Sequence, residues 1–277
     1  FALKSLRDYS LNAKEKKKMV LGVQTLSFWR TILSRTKSFT QMLLNRMMQI
    51  QMDKTTEPAA LLALPEDKSP TGEAYRALRT NFLRAVQDKS MKVVLITSAN
   101  HYEGKTTTAI NLALAMSDLP RFRTLLVDSD LRYPTIHSRL TLNRSPGLTE
   151  ILEGSVGLNS GIIHTEKENL KVITSGNLSS YPVELLETGK LRELMSELKS
   201  QFDLILVDSP PVIPYSDASV LSSQVDGVLL VVQSGKTPRD DINQAHATLQ
   251  DNQAKILGVV LNKQKHFVPE RIYRRRI

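Results

Sequence analysis

Five short runs along this chain are apolar almost without interruption: VVLIT at 93–97, TLLV at 124–127, LILV at 204–207, GVLLVV at 227–232 and ILGVVL at 256–261. A half-exposed strand would alternate apolar with polar positions. These runs do not, so each reads as a strand buried on both faces, as in a parallel sheet. The pattern predicts strands over 92–97, 124–128, 170–174, 203–208, 227–232 and 256–261. It predicts helices over 71–87, 105–117, 183–200, 217–223 and 239–251, with a short helical piece near 147–153. Strand and helix alternate throughout, so the expected class is α/β: a doubly wound, mostly parallel sheet with helices on both faces.

The first strand runs into the segment VVLITSANHYEGKTTTAIN at 93–111, whose loop ends Gly104-Lys105-Thr106 and opens a helix. A loop of this form aims backbone N–H groups at an anion, while its lysine reaches the β- and γ-phosphates and its hydroxyl reaches a magnesium ion. The expected nucleotide-binding positions are Ala99, Asn100, His101, Tyr102, Glu103, Gly104, Lys105, Thr106 and Thr107. Ala99 stands where the general loop pattern has its first glycine. Two further strands end in carboxylates, Asp128 and Asp130 in TLLVDSDLRYP and Asp208 in FDLILVDSPP. The carboxyl ends of strands are where open parallel sheets bind ligands.

These segments resemble the bacterial tyrosine kinases that regulate capsular and extracellular polysaccharide export. That family's Walker A runs roughly SAxPGEGKST, its Walker A′ hhhDxDLRxP and its Walker B hhhDxPP; here they read SANHYEGKTT, LLVDSDLRYP and LILVDSPP. GLTEILEG at 147–154, SGNLSSYPVELLETGK at 175–190 and GVVLN at 258–262 extend the resemblance over roughly residues 68–265. Asn100 also separates the chain from the partition and septum-site ATPases, which carry a signature lysine there. The resemblance implies ATP and Mg2+ as cofactors. It implies catalytic roles for Lys105, Asp128, Asp130 and Asp208, with Thr106, Asp128 and Asp208 holding the metal and either Asp128 or Asp130 acting as base. Asn262 would meet the adenine, and Arg132 would position phosphate or subunit or simply form an ion pair. Glu73, Arg76 and Arg79 match an ExxRxxR subunit-contact helix, which implies a homo-oligomer. His101-Tyr102 replaces the family's Pro-Gly, so the residue freest to take a positive φ is missing from the loop. The family's C-terminal tyrosine cluster is reduced to Tyr273, a candidate phosphoacceptor or an inert residue. The alternative reading is a nucleotide-switched ATPase that assembles with a membrane partner without phosphorylating tyrosine.

Composition adds bounds. The 277 residues hold no cysteine, which excludes disulfides and thiolate chemistry. The net charge of +9 is carried by the ends: residues 1–57 hold 11 Lys/Arg against 4 Asp/Glu and residues 263–277 hold 6 against 1, which leaves the body at −3. A nucleic-acid binder would place its basic stripe on the body, so no nucleic-acid partner is expected. Leu26, Trp29, Leu33, Leu43, Met47 and Ile50 recur at spacings near three and four among Arg30, Arg35, Lys37 and Arg46, predicting a basic amphipathic helix suited to an anionic membrane surface or a partner helix. No apolar run approaches the ~20 residues of a membrane span, nor is there a signal-peptide core. The expected organisation is an extension over 1–57, a linker over 58–70, the kinase domain over 71–265 and a basic tail over 266–277. Because the chain opens on Phe1, we expect it to be part of a longer protein. The polysaccharide co-polymerase or activator that the family pairs with would then lie upstream in the same chain or in a separate one. The expected location is the cytoplasmic face of the bacterial inner membrane.

Overall fold

A computed structural model describes residues 69–87 and 91–264. The N-terminal extension, nearly all of the linker, and Tyr273 with its tail lie outside these residues. The chain enters through helix α1 (Pro70–Gln87), where the Ser69 hydroxyl accepts the Gly72 N–H at 3.1 Å and Pro70 occupies the first turn. Strand β1 (Val93–Ser98) leads to α2 (Lys105–Ser117), and β2 (Thr124–Asp128) follows. After it come the short helices α3 (Ile136–Arg139), α4 (Leu148–Glu153) and α5 (Leu158–Gly161), then β3 (Ile163–His164) and β4 (Leu170–Ile173). Helices α6 (Pro182–Glu187) and α7 (Gly189–Gln201) precede β5 (Leu204–Asp208). The fold closes with α8 (Asp217–Ser222), β6 (Gly227–Gln233), α9 (Arg239–Asp251) and β7 (Ile256–Asn262).

The seven strands form one sheet in the order β3-β4-β2-β5-β1-β6-β7, parallel except for β3 against β4. Successive residues of β1 face opposite layers. Val93 and Leu95 join the layer carrying Leu191, Leu198 and Ala245, while Val94 and Ile96 join the layer carrying Phe82, Ile110 and Ile136. This is why the central runs are apolar throughout. Edge strand β7 is an exception to the expected cover on both faces, because Val259 and Leu261 stay more than half exposed.

The helix expected over 183–200 is two helices. Thr188 is extended at φ −63° and ψ 143°, and its hydroxyl donates to the Leu185 carbonyl at 2.8 Å. A side chain that bonds the local backbone, followed by glycine, competes with helix continuation. The sheet's register also brings the expected carboxylates together: Asp128 on β2 is the direct partner of Asp208 on β5, and Asp208 pairs in turn with Ile96 on β1, just before the glycine-poor loop. No described helix is long and apolar enough to cross a membrane.

Candidate nucleotide and phosphoryl-transfer site

The β1–α2 loop is held from behind by side chains. Glu103 is almost fully buried; its carboxylate accepts the Asn100 N–H at 3.2 Å and the Thr237 hydroxyl, and burial pushes its pKa above the usual carboxylate range. Asn262 donates from its amide to the Glu103 carbonyl at 2.9 Å, and Lys263 donates to the Tyr102 carbonyl at 3.1 Å. Asn100 donates to Asp241 at 2.6 Å, in the first turn of α9. So Asn100, Glu103 and Asn262, read from the sequence as nucleotide contacts, are placed as braces of the loop. Ala99 is fully buried in the core and its carbonyl accepts the Ile213 N–H at 3.2 Å.

Two loop residues take the left-handed conformation. Gly104 caps α2 at φ +94°, and a Cβ there would lie 2.1 Å from the Asn262 amide nitrogen, so only glycine fits. Tyr102 sits at φ 64° with its ring 60 % exposed. The position where the resembled family has glycine therefore keeps the glycine conformation and carries a side chain that costs about 1–2 kcal/mol to hold there.

The charged centre lies in front of the loop. Lys105 donates from Nζ to Asp130 Oδ2 at 2.9 Å and more distantly to the Thr106 hydroxyl at 3.4 Å. Burial alone would lower the basicity of this ammonium, but Asp130, Asp208 and Asp128 together raise it above its ordinary value. The three carboxylates divide their labour. Asp128 accepts the N–H groups of Asp130 at 3.2 Å and Ile136 at 3.1 Å, which shapes the loop after β2. Asp130 holds Lys105 with one oxygen and accepts the Tyr133 N–H at 3.0 Å with the other. Asp208 is buried, and neither of its oxygens has a hydrogen-bond partner, although the Thr106 hydroxyl lies near enough to stabilise its charge. Burial raises both Asp128 and Asp208, each further opposed by neighbouring carboxylates. A buried carboxylate with both oxygens unengaged is what a shared cation needs. Among the described residues no three His, Cys, Asp or Glu side chains form a metal cage on their own.

The remaining expected positions are placed as follows. Thr107 accepts from Arg139 Nη1 at 2.8 Å, a contact no sequence signal announced. Arg132 is spent inside the chain, bonding both oxygens of the fully buried Asp217 at 3.0 and 3.1 Å. Glu73 and Arg76 pair at 2.7 Å along α1, whereas Arg79 donates to the Ala115 carbonyl of α2 at 3.1 Å. Sequence reasoning missed Thr237 and Asp241, which lie far along the chain and meet the loop only through the β6 and β7 pairing.

In sequence and fold the chain is similar to known proteins. The AAA domain family, in its AAA_31 form, matches residues 91–263. Tyrosine-protein kinase YwqD of Bacillus subtilis (strain 168) is 37% identical over 205 residues, covering 74% of this chain and 86% of that protein. The crystal structure of the chimerical protein CapA2B2 superposes with a TM-score of 0.71 at 33% identity, covering 76% of this chain and 92% of that one. The kinase domain of Escherichia coli tyrosine kinase ETK gives a TM-score of 0.68 at 30% identity, covering 79% and 89%.

The buried Asp208 supplies a pH-dependent prediction. Its carboxyl is pushed up to about 6 by burial against the pull of Lys105. A carboxyl raised in the folded state favours folding at low pH, and that contribution is lost as pH rises through about 6. Asp208→Asn, neutral at every pH, should therefore raise the melting temperature of the nucleotide-free protein by a few degrees near pH ~8 and far less near pH ~4.5. Thermal melts of both proteins at both pH values check this, and equal shifts would show that the charge is not responsible.

Proposed function

The chain belongs to the AAA-domain tyrosine-protein kinases, and from that premise we propose that it is a magnesium-dependent autokinase regulating the polymerisation and export of a polysaccharide. The observation that carries the proposal is the Lys105–Asp130 pair beside the unengaged carboxylate of Asp208. In our reading the loop amides and Lys105 receive the β- and γ-phosphates of ATP, and Thr106 with Asp208 holds magnesium. Magnesium, when bound, neutralises charge on the transferring phosphoryl group. As Lys105 turns to the phosphates, Asp130 Oδ2 is released from its 2.9 Å contact. It then takes the proton of the acceptor tyrosine as that oxygen bonds to phosphorus and the bond to the β-phosphate oxygen breaks. Asp130 is a better base than Asp128, whose two oxygens both accept loop N–H groups. Asn262, with one donor committed to Glu103, offers its remaining polar atoms to the adenine.

Lys105→Met should abolish transfer from labelled ATP, with circular dichroism still showing a folded protein. Wild-type protein should yield phosphotyrosine. Free phosphate alone would replace the kinase with the nucleotide-switched assembly ATPase.

The partners follow from the two ends of the chain and from α1. We read Glu73 and Arg76 as a subunit contact, because they leave an acid–guanidinium pair on an outer helix face, and Arg79 as the tether that fixes α1 to α2. Glu73→Ala with Arg76→Ala should shift the mass by light scattering from oligomer to monomer. An unchanged mass would remove the contact from these residues.

The basic segment at 1–57 is read as attaching the kinase to the cytoplasmic face of the membrane, beside a co-polymerase or activator. Each Lys or Arg near an anionic surface contributes roughly 1 kcal/mol, screened by salt. The chain should co-sediment with anionic vesicles in preference to neutral ones, and less as salt rises. Equal partitioning would leave a partner helix as its target.

A further inference from the structure

Three loops that the phosphate chemistry does not fully use bring aromatic side chains together in front of Asp130. His101 comes from the β1–α2 loop, Tyr133 from the segment after β2 and Tyr215 from the segment after β5. The His101 ring lies edge-on to Tyr215 at 5.5 Å and to Tyr133 at 6.0 Å, and the two tyrosines lie 6.4 Å apart. Tyr102 continues the row outward, tilted against His101 at 5.9 Å. The wall has a fixed base: the Arg132 guanidinium lies 4.6 Å from the Tyr215 ring centre and is locked by the buried Asp217, while the Tyr133 N–H bonds Asp130. It also stands close to the reacting groups, since Lys105 and Asp130 both act electrostatically on His101 and Asp130 acts on Tyr215.

We propose that His101, Tyr133 and Tyr215 form the acceptor subsite, a wall that seats the ring of the tyrosine being phosphorylated and delivers its hydroxyl to Asp130. The three rings are half-buried and already arranged edge to face. That is the arrangement into which a further aromatic ring packs favourably and an aliphatic hydroxyl side chain does not. A tyrosine hydroxyl stands a full ring beyond its β-carbon and so reaches past such a wall, whereas a serine or threonine hydroxyl stays beside its own backbone. On this view the wall, and not the phosphate loop, makes the acceptor a tyrosine.

The proposal rests on the kinase reading, and its test separates the two. The full chain is assayed with a synthetic peptide holding one tyrosine and with the same peptide carrying serine instead. Tyr215→Leu and Tyr133→Leu, on separate loops, should each raise KM for the tyrosine peptide by about tenfold while KM for ATP moves less than about twofold. Tyr215→Phe, which keeps the ring, should restore a KM close to wild type. If one leucine variant misfolds, the other carries the test. An unchanged peptide KM, a parallel rise in KM for ATP, or failure of the phenylalanine variant to restore the wild-type value would overturn the wall. Wild-type protein that phosphorylates neither peptide nor itself would overturn the kinase reading instead.

Discussion

One ammonium group surrounded by three buried carboxylates is the constraint on which this molecule turns. Register makes Asp128 and Asp208 neighbours on adjacent strands, and the loop after β2 adds Asp130, so three negative groups converge where water is scarce. Like charges this close cannot all be ionised without a counter-charge, and the raised carboxyls of Asp128 and Asp208 record the cost. Lys105 is the counter-charge. Its bond to Asp130 offsets part of the negative charge, and the imbalance that remains is an attraction for further cations at Asp208. The feature that strains the site is thus the one that prepares it for a metal and a phosphate chain.

Positioning that lysine requires a rigid loop, and the rigidity comes from the far side of the sheet. Thr237 after β6, Asp241 on α9, and Asn262 and Lys263 at the end of β7 all grip the loop from behind. The half of the loop that faces the ligand, from Gly104 onward, is then left to the helix N-terminus and its backbone N–H groups. Strands β6 and β7 contribute no reacting group in this scheme, yet the pairing of β6 with β1 and of β7 with β6 sets where the loop sits.

How much of this was legible in the sequence depends on how local the physics is. The strands were legible because burial on both faces leaves an unbroken apolar run, and the carboxylates because they end such runs. Strand β3, two residues long, and helix α3, four residues long, carry too little pattern to be read. The break at Thr188 needed a particular side-chain hydrogen bond. Asn100, Glu103 and Asn262 were recognised as belonging to the site through resemblance, but their bracing work depends on partners more than 130 residues away, which no spacing rule encodes. The aromatic wall was invisible for the same reason: positions 101, 133 and 215 share no period and meet only because three strand ends meet.

The substitution of His101-Tyr102 for Pro-Gly links these strands of argument. A tyrosine at φ 64° costs what a glycine would not, and a fold retains such a cost where surrounding contacts over-determine the conformation. Here the Tyr102 carbonyl is held by Lys263, and the carbonyl of the next residue by Asn262. With the backbone so fixed, His101 is set against Tyr133 and Tyr215, and Tyr102 extends the row into solvent. A Pro-Gly pair would relax the loop and remove both of these rings. The braces behind the loop therefore do more than hold phosphate-binding amides in place. They allow the loop to present aromatic surface toward an acceptor while its opposite end keeps the geometry that phosphate demands.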